Sequence, residues 1–219
     1  MSFKRGLKKV KRTLDVGDIE PKGEHYFTKR PTSAPKPRLL RIFINGKEIQ
    51  LKTSSGIFSP RRVDYATVLL IENMRVGEKV LDLGCGYGPI GIAVAVSKPK
   101  CSVTMVEINE RAAELSRENI SLNRVFNARV VESDFFKELE GEKFDTILMN
   151  PPMAAGLKTL FDVIAECKEH LEANGTLQIV ARHGKGGERV SARMEEVFGN
   201  VETVAKGGGF RVYMSVSSK

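Results

Sequence analysis

Val80-Leu81-Asp82-Leu83-Gly84-Cys85-Gly86-Tyr87-Gly88 is a largely apolar run that breaks into a glycine-rich turn, and Pro89 opens a helical stretch reaching Ser97. The apolar part, from Lys79 to Leu83, reads as a buried strand. Glycine at every second position lets the backbone turn sharply and lets a ligand approach with no Cβ in the way. Proline suits the first helical position, where its missing N–H would have no intrahelical partner. Strand, glycine turn and helix in that order open a β-α-β unit.

Working outward toward the C-terminus, the same alternation continues. Val103–Val106, Ala128–Val131, Phe144–Met149 and Thr176–Ala181 read as strands, and Glu110–Asn123, Lys158–Leu171 and Glu188–Phe198 as helices. Such alternation means right-handed crossovers and a parallel sheet covered by helices on both faces. Strands near Val201–Ala205 and Phe210–Val216 are joined only by Gly207-Gly208-Gly209, so they close the sheet as an antiparallel hairpin. Toward the N-terminus, Asp64 to about Arg75 has helical spacing, and Gly56-Ile57-Phe58-Ser59-Pro60 is a turn. Arg41–Ile44 and Glu48–Leu51 flank Asn45-Gly46 as a hairpin. The expected organisation is an arm over residues 1–38, broken by Pro21, Pro31, Pro35 and Pro37, and one α/β domain over 39–219 whose first part, 39–55, is the hairpin.

Charge separates the arm from the body. Of the 35 basic and 27 acidic residues, twelve and four lie in residues 1–41, leaving 23 of each for the remainder. A basic arm on a neutral body suits a polyanion, because each Lys or Arg near a phosphate gains by displacing counterions; a solvated tail is the plain alternative. Cys85, Cys101 and Cys167 are too few and too scattered for a disulfide framework, and His25, His170 and His183 do not cluster, so no metal is expected. No apolar run is long enough to cross a bilayer, and a soluble, cytoplasmic protein is expected.

The glycine loop admits two cofactor classes. Dinucleotide enzymes want a third small residue where Pro89 stands, which weakens a nicotinamide reading. Glu107 ends the next strand 19 residues after Gly88, where a carboxylate can accept both ribose hydroxyls of a nucleoside. Asn150-Pro151-Pro152 follows the fourth strand. An exocyclic amine on a base is a poor nucleophile because its lone pair is delocalised into the ring, so it needs orientation and proton acceptors more than a strong base. The Asn150 side-chain oxygen and the Pro151 carbonyl could take the two amine hydrogens, while the prolines hold the loop's path.

These residues resemble a known family. Asp82 with the Gly-x-Gly-x-Gly loop is similar to the first motif of the Rossmann-like methyltransferases. Asn150-Pro151-Pro152 resembles the Asn/Asp-Pro-Pro-aromatic signature of enzymes that methylate adenine N6, cytosine N4, guanine's 2-amino group or a protein glutamine amide. Together with Gly56-Ile57-Phe58-Ser59, Asp64, Thr67 and Gly209-Phe210-Arg211-Val212-Tyr213, they look like the small-domain methyltransferases of the bacterial 16S rRNA guanine type and their archaeal relatives, over roughly residues 25–216. The resemblance implies a seven-stranded, mainly parallel Rossmann-like sheet. It implies S-adenosylmethionine as cofactor, held by Asp82, Gly84, Cys85, Gly86, Gly88, Glu107, Ile108 and Asp134. It also implies that Phe58, Ser59, Asp64 and Thr67 flank the cofactor or the target base. Met153 stands where the family has an aromatic residue, and the basic arm is expected in place of the extra N-terminal domain of the bacterial enzymes.

The expectation is therefore an S-adenosylmethionine-dependent N-methyltransferase acting on cytosine N4 or guanine's 2-amino group in structured RNA, with 16S rRNA foremost, as a monomer or weak oligomer. Asn150, Pro151 and Pro152 are its catalytic residues. Phe58, Ser59, Met153, Arg61, Arg62, Arg182 and Lys185 are its substrate contacts, because A-form RNA must be held by its backbone and read through splayed bases. Methylation at cytosine C5 is disfavoured, since no Pro-Cys follows the fourth strand. Two rivals stay open: a protein glutamine or small-molecule N-methyltransferase, and a non-catalytic RNA-binding or assembly protein on the same fold.

Overall fold

The computed structural model describes residues 34–44, 46–152 and 156–218, with the backbone of Lys11–Arg12. The rest of the arm, Asn45 of the hairpin turn and Met153 lie outside the described residues.

Four parallel strands, β4 (Lys79–Leu83), β5 (Ser102–Glu107), β6 (Ala128–Glu132) and β7 (Phe144–Met149), are followed by β8 (Leu171–Arg182), β9 (Glu202–Gly207) and β10 (Phe210–Val216). They form one seven-stranded sheet in the order β6-β5-β4-β7-β8-β10-β9, with β8 parallel to β7 and β10 antiparallel to both β8 and β9. Along β4 and β7 successive side chains enter opposite layers. Val80 and Leu148 join a cluster under α1 (Tyr65–Asn73), α2 (Pro89–Ser97) and α3 (Glu110–Leu122). Leu81, Leu83, Ile147 and Met149 join another under α4 (Leu157–Glu169) and α5 (Gly187–Phe198). Burial on both faces is why these strands are nearly continuous apolar runs rather than alternating ones.

Several boundaries differ from the sequence reading, each for a tertiary reason. The first helix stops at Asn73 rather than near Arg75, because the Gln178 amide accepts from the Arg75 N–H and donates to the Arg75 carbonyl. The fifth strand begins at Leu171, not Thr176; Leu171 pairs with Phe144 and the ladder shifts register before resuming at Thr176. The helix before it ends at Glu169 accordingly, and the last hairpin turns at Gly208-Gly209, with Gly207 inside β9.

The N-terminal hairpin, β2 (Arg38–Ile44) and β3 (Lys47–Thr53), is longer than expected and pairs through β2 with the two-residue β1 (Lys11–Arg12). Its free edge is closed by a helix. The Asn119 amide bonds the Lys52 N–H and C=O at 2.6 and 2.9 Å, and the Asn123 amide bonds the Gln50 N–H and C=O at 2.9 and 2.6 Å. Four helical residues rise about 6 Å and two strand residues about 6.8 Å, so asparagines at this spacing can serve a strand edge. Asn119 also donates to the Tyr87 carbonyl at 2.9 Å, joining hairpin and glycine loop through one buried amide. Asn119→Ala leaves these backbone groups without their partner. A loss of about 2–3 kcal/mol is expected, seen as a fall in Tm on the order of 5–10 °C by calorimetry.

Candidate active site

The chain runs from β4 outward through β5 to β6, then returns to place β7 on the other side of β4. That reversal opens a crevice at the carboxyl ends of β4 and β7, where open α/β sheets bind ligands. Asp82 pairs with Leu148 as the last rung of the β4–β7 ladder, and Gly84 and Asn150 each follow two residues beyond it. The glycine turn and the Asn-Pro-Pro segment therefore share one edge of the sheet.

Gly84, Gly86 and Gly88 all have positive φ, at 76°, 60° and 91°. A Cβ at Gly84 or Gly86 would meet nothing within 4 Å, whereas at Gly88 it would strike the Met105 methyl at 2.5 Å. The first two thus border open space, and the third presses the start of α2 onto the sheet. The Gly84 and Cys85 N–H groups donate to the Val106 carbonyl, and Ser116 Oγ donates to the Gly86 carbonyl at 2.8 Å. Cys85 is buried, with its thiol pushed well up by desolvation, and it acts as filler rather than nucleophile.

Two acids stand behind this loop. Glu107 accepts from the Gly86 N–H with Oε2 and from the Asn109 N–H with Oε1, each at 2.8 Å. Burial raises its pKa although the backbone N–H groups of Asn109, Gly86 and Ile108 oppose the shift. Asp82 is fully buried; its Oδ2 accepts from the Gly91 N–H at 2.8 Å and its Oδ1 has no partner among the described residues. An orphaned carboxylate oxygen beneath a loop whose glycines face open space fits a cationic, polar ligand end such as the aminoacyl group of S-adenosylmethionine. Asp134, at the end of β6, is ion-paired with Lys137 at 2.5 Å and is partly exposed, so a bound adenine amine would share that carboxylate.

Asp64 and Thr67 converge on Asn150. Asp64 caps α1, its Oδ1 accepting from the Ala66 and Thr67 N–H groups, and its Oδ2 accepts a short hydrogen bond from the Thr67 hydroxyl. Asn150 Nδ2 donates to Thr67 Oγ1 at 2.9 Å and lies 3.3 Å from Asp64 Oδ2. A carboxylate only accepts, so the amide must turn its NH2 toward Asp64 and its oxygen away from it. Pro151 and Pro152 follow, half-buried.

The segment from Gly56 to Val63 is anchored by α3, where Asn109 Nδ2 donates to the Gly56 carbonyl and Arg111 to the Ser55 carbonyl. Phe58 is exposed and Arg62 is exposed; Arg61 is half-buried beside them. Ser59 has φ 48° and its hydroxyl donates to the Arg62 carbonyl at 2.5 Å, so it shapes the loop. Arg182, the last residue of β8, and Lys185 just beyond it are exposed, with the Arg182 guanidinium 5.9 Å above the Phe210 ring. Sequence reading missed Asn109 and Ser116 as loop anchors. Asn109 carried an N-cap signal before α3, but nothing in the sequence showed that either side chain reaches the crevice.

Other features lie elsewhere. A cavity of about 410 Å³ lined by Lys79, Thr104, Arg129 and Glu142 opens at the amino ends of the strands, away from Asn150. Among the described residues no group of three or more His, Cys, Asp or Glu could hold a metal, and no helix is long and apolar enough to cross a membrane.

Burial is the main cause that raises the Asp82 pKa from 3.8 to about 7, opposed by the Gly91 N–H and reinforced by the charge of Glu107. An acid whose pKa rises on folding holds its proton in the native state over a range where the unfolded chain has lost it, so stability falls as pH climbs. Denaturation at a series of pH values should show this fall between about pH 4 and pH 7. In Asp82→Asn that part of the slope should disappear.

Comparison with known proteins places this geometry. The family model Methyltransferase small domain matches residues 48–214. The uncharacterized protein YbxB of Bacillus subtilis is 34% identical over 193 residues, 86% of this chain and 96% of that one. Ribosomal RNA small subunit methyltransferase C of Hamiltonella defensa is 34% identical over 175 residues, 77% of this chain and 51% of that one. The solved T. thermophilus 16S rRNA N2 G1207 methyltransferase, in complex with AdoMet and guanosine, matches with a TM-score of 0.74 and 26% identity, over 85% of this chain and 52% of that one. The chain thus spans about half the length of the ribosomal RNA methyltransferases it matches. The matched span covers most of the chain, and the chain belongs to the methyltransferase small-domain family.

Proposed function

We propose that this protein is an S-adenosylmethionine-dependent N-methyltransferase that methylates the 2-amino group of a guanine in ribosomal RNA of the small subunit. The observation that carries the reading is the Asn150 amide, held by Thr67 and Asp64 at the switch point of the sheet, just beyond the strand that pairs with the one leading into the glycine turn. The relatives' own chemistry supports the choice of amine, since the T. thermophilus enzyme acts at guanine N2.

S-adenosylmethionine supplies, when bound, an electrophilic methyl group on a sulfonium. Gly84 and Gly86 leave room for it, Asp82 offers its unpartnered oxygen to the cationic end, and Glu107 and Asp134 suit ribose and adenine. Asn150 does the work on the amine. With Nδ2 tied to Thr67 and Asp64, its Oδ1 is the end left to accept an amine hydrogen, and the Pro151 carbonyl is the second acceptor. Two fixed acceptors draw the N–H bonds out of the ring plane and so turn the lone pair out of the ring's conjugation, toward the methyl group. The surplus proton leaves to water after transfer. Phe58, exposed on the loop beside Asp64, takes the stacking role that the family gives to the aromatic residue at position 153. Met153 lies next to the same acceptors in sequence. The arm, with Arg61, Arg62, Arg182 and Lys185, holds the RNA backbone. The protein works without a metal, in the cytoplasm, as a monomer or weak oligomer.

Asn150→Ala should abolish labelled methyl transfer to rRNA while calorimetric cofactor affinity stays near normal; equal loss of both contradicts the role given to it. Thr67→Val should lower kcat on the order of 10–100-fold by freeing the amide, and Thr67→Ser should restore it. Deleting residues 1–24 should weaken RNA binding and flatten its salt dependence, by about one unit of slope for each phosphate that the arm neutralises. Mass spectrometry of rRNA nucleosides with and without the gene identifies the modified base, and an unchanged nucleoside profile refutes the activity.

A further inference from the structure

Five large hydrophobic side chains are exposed among the described residues, and one of them, Tyr65, directly follows Asp64, the residue that holds Asn150. Tyr65 is the first residue of α1 and is 39% exposed. Its ring is nevertheless closely seated. A Cβ at Gly207 would lie 2.2 Å from the Tyr65 hydroxyl oxygen, and one at Gly208 would lie 2.9 Å from a ring carbon. The last hairpin therefore supplies two glycines as a shelf on which this ring rests. Phe210, just after the turn, meets Tyr65 with centroids 6.1 Å apart and planes tilted by 42°. Above Phe210, at 5.9 Å, sits the guanidinium of Arg182. Tyr65, Phe210 and Arg182 thus form a ledge of two rings and a cation, one residue along the chain from the carboxylate that touches Asn150.

A tyrosine at a helix start needs no such shelf to stay in water. A ring held immobile and left partly bare offers a flat apolar face at low entropic cost, and the neighbouring guanidinium offers a planar cation beside it. That combination matches an unpaired nucleotide: the base stacks on an aromatic face, which is tolerant of sequence, and the phosphate meets the cation. We propose that Tyr65, Phe210 and Arg182 bind the nucleotide adjacent to the target guanosine in single-stranded RNA and hold it stacked while the target base enters the crevice. The inference rests on the RNA reading above, and it adds a second nucleotide site on the far side of Asn150 from the glycine loop. Charge and continuity with the crevice favour RNA over a protein segment, which would need apolar pockets rather than one exposed ring face.

Tyr65→Leu and Phe210→Leu keep apolar bulk on the shelf and remove the aromatic faces, and cofactor affinity by calorimetry reports that each variant is folded. The probe is a single-stranded RNA oligonucleotide carrying one guanosine, with 2-aminopurine placed on either side of it in turn. In the wild type the fluorescence of one of the two probes should fall on binding, and the fall should vanish in both variants. KM for RNA should rise about 5- to 100-fold while kcat is retained, the range expected for losing one base stack. Arg182→Gln should reduce the salt slope of binding by about one. Variants that bind the oligonucleotide within twofold of wild type, with 2-aminopurine still quenched, overturn the ledge and leave the methyltransferase reading standing. A wild type that binds no RNA and transfers no methyl to it refutes both.

Discussion

Parallel pairing of β4 with β7 is the constraint on which the site depends. Asp82 lies opposite Leu148, so the two strands end together, and whatever follows each must occupy the same rim. After β4 the backbone needs glycine to leave the strand and open a helix within a few residues. After β7 it needs a stiff turn that presents an amide. Neither segment has a function apart from the other. Their juxtaposition is enforced by buried apolar side chains on both faces of strands that no water reaches.

Around this rim the protein places polar groups in an order that burial makes consequential. Asp82 and Glu107 are carboxylates withdrawn from water behind the glycine loop, held by backbone N–H groups rather than by cations. Such groups are costly to ionise without a partner, and a cationic ligand end beside Asp82 would relieve that cost. On the other side of the rim the Asp64 carboxylate has its oxygens taken up by α1 and by the Thr67 hydroxyl, and the remaining donor it faces is the Asn150 amide. The same residue type thus serves two ends: orphaned, it prepares a binding site, and saturated, it orients a neighbour.

The N-terminal hairpin belongs to a separate small sheet and the C-terminal hairpin forms one edge of the main sheet, yet both reach the crevice. The first is fastened to α3 by two asparagine amides, of which Asn119 also touches the glycine loop, so displacing the hairpin would disturb that loop. The second brings its glycine turn under Tyr65 at the opposite end. The loop from Gly56 to Val63 spans the distance between them, anchored at Asn109 and ending at Asp64. The proposed substrate and cofactor surfaces are therefore parts of one continuous rim rather than separate modules.

Much of this was legible in the residues. Strand and helix alternation declares a parallel sheet because short continuous apolar runs give way to stretches with helical spacing where the chain changes conformation. Gly84, Gly86, Glu107 and Asn150 announce themselves because ligand chemistry demands those residue types at strand ends, where local sequence sets the geometry. What the residues alone could not disclose depends on groups distant in the chain. Gln178 ends α1 from more than a hundred positions away, Leu171 joins a strand because Phe144 is beside it, and Tyr65 meets Gly207 only once the sheet has closed. The direction of the Asn150 amide is likewise a tertiary matter, since it is set by a carboxylate 86 residues earlier that only folding brings within reach. Local pattern determined which chemistry the chain carries; long-range packing, which no periodicity encodes, decided where each group points.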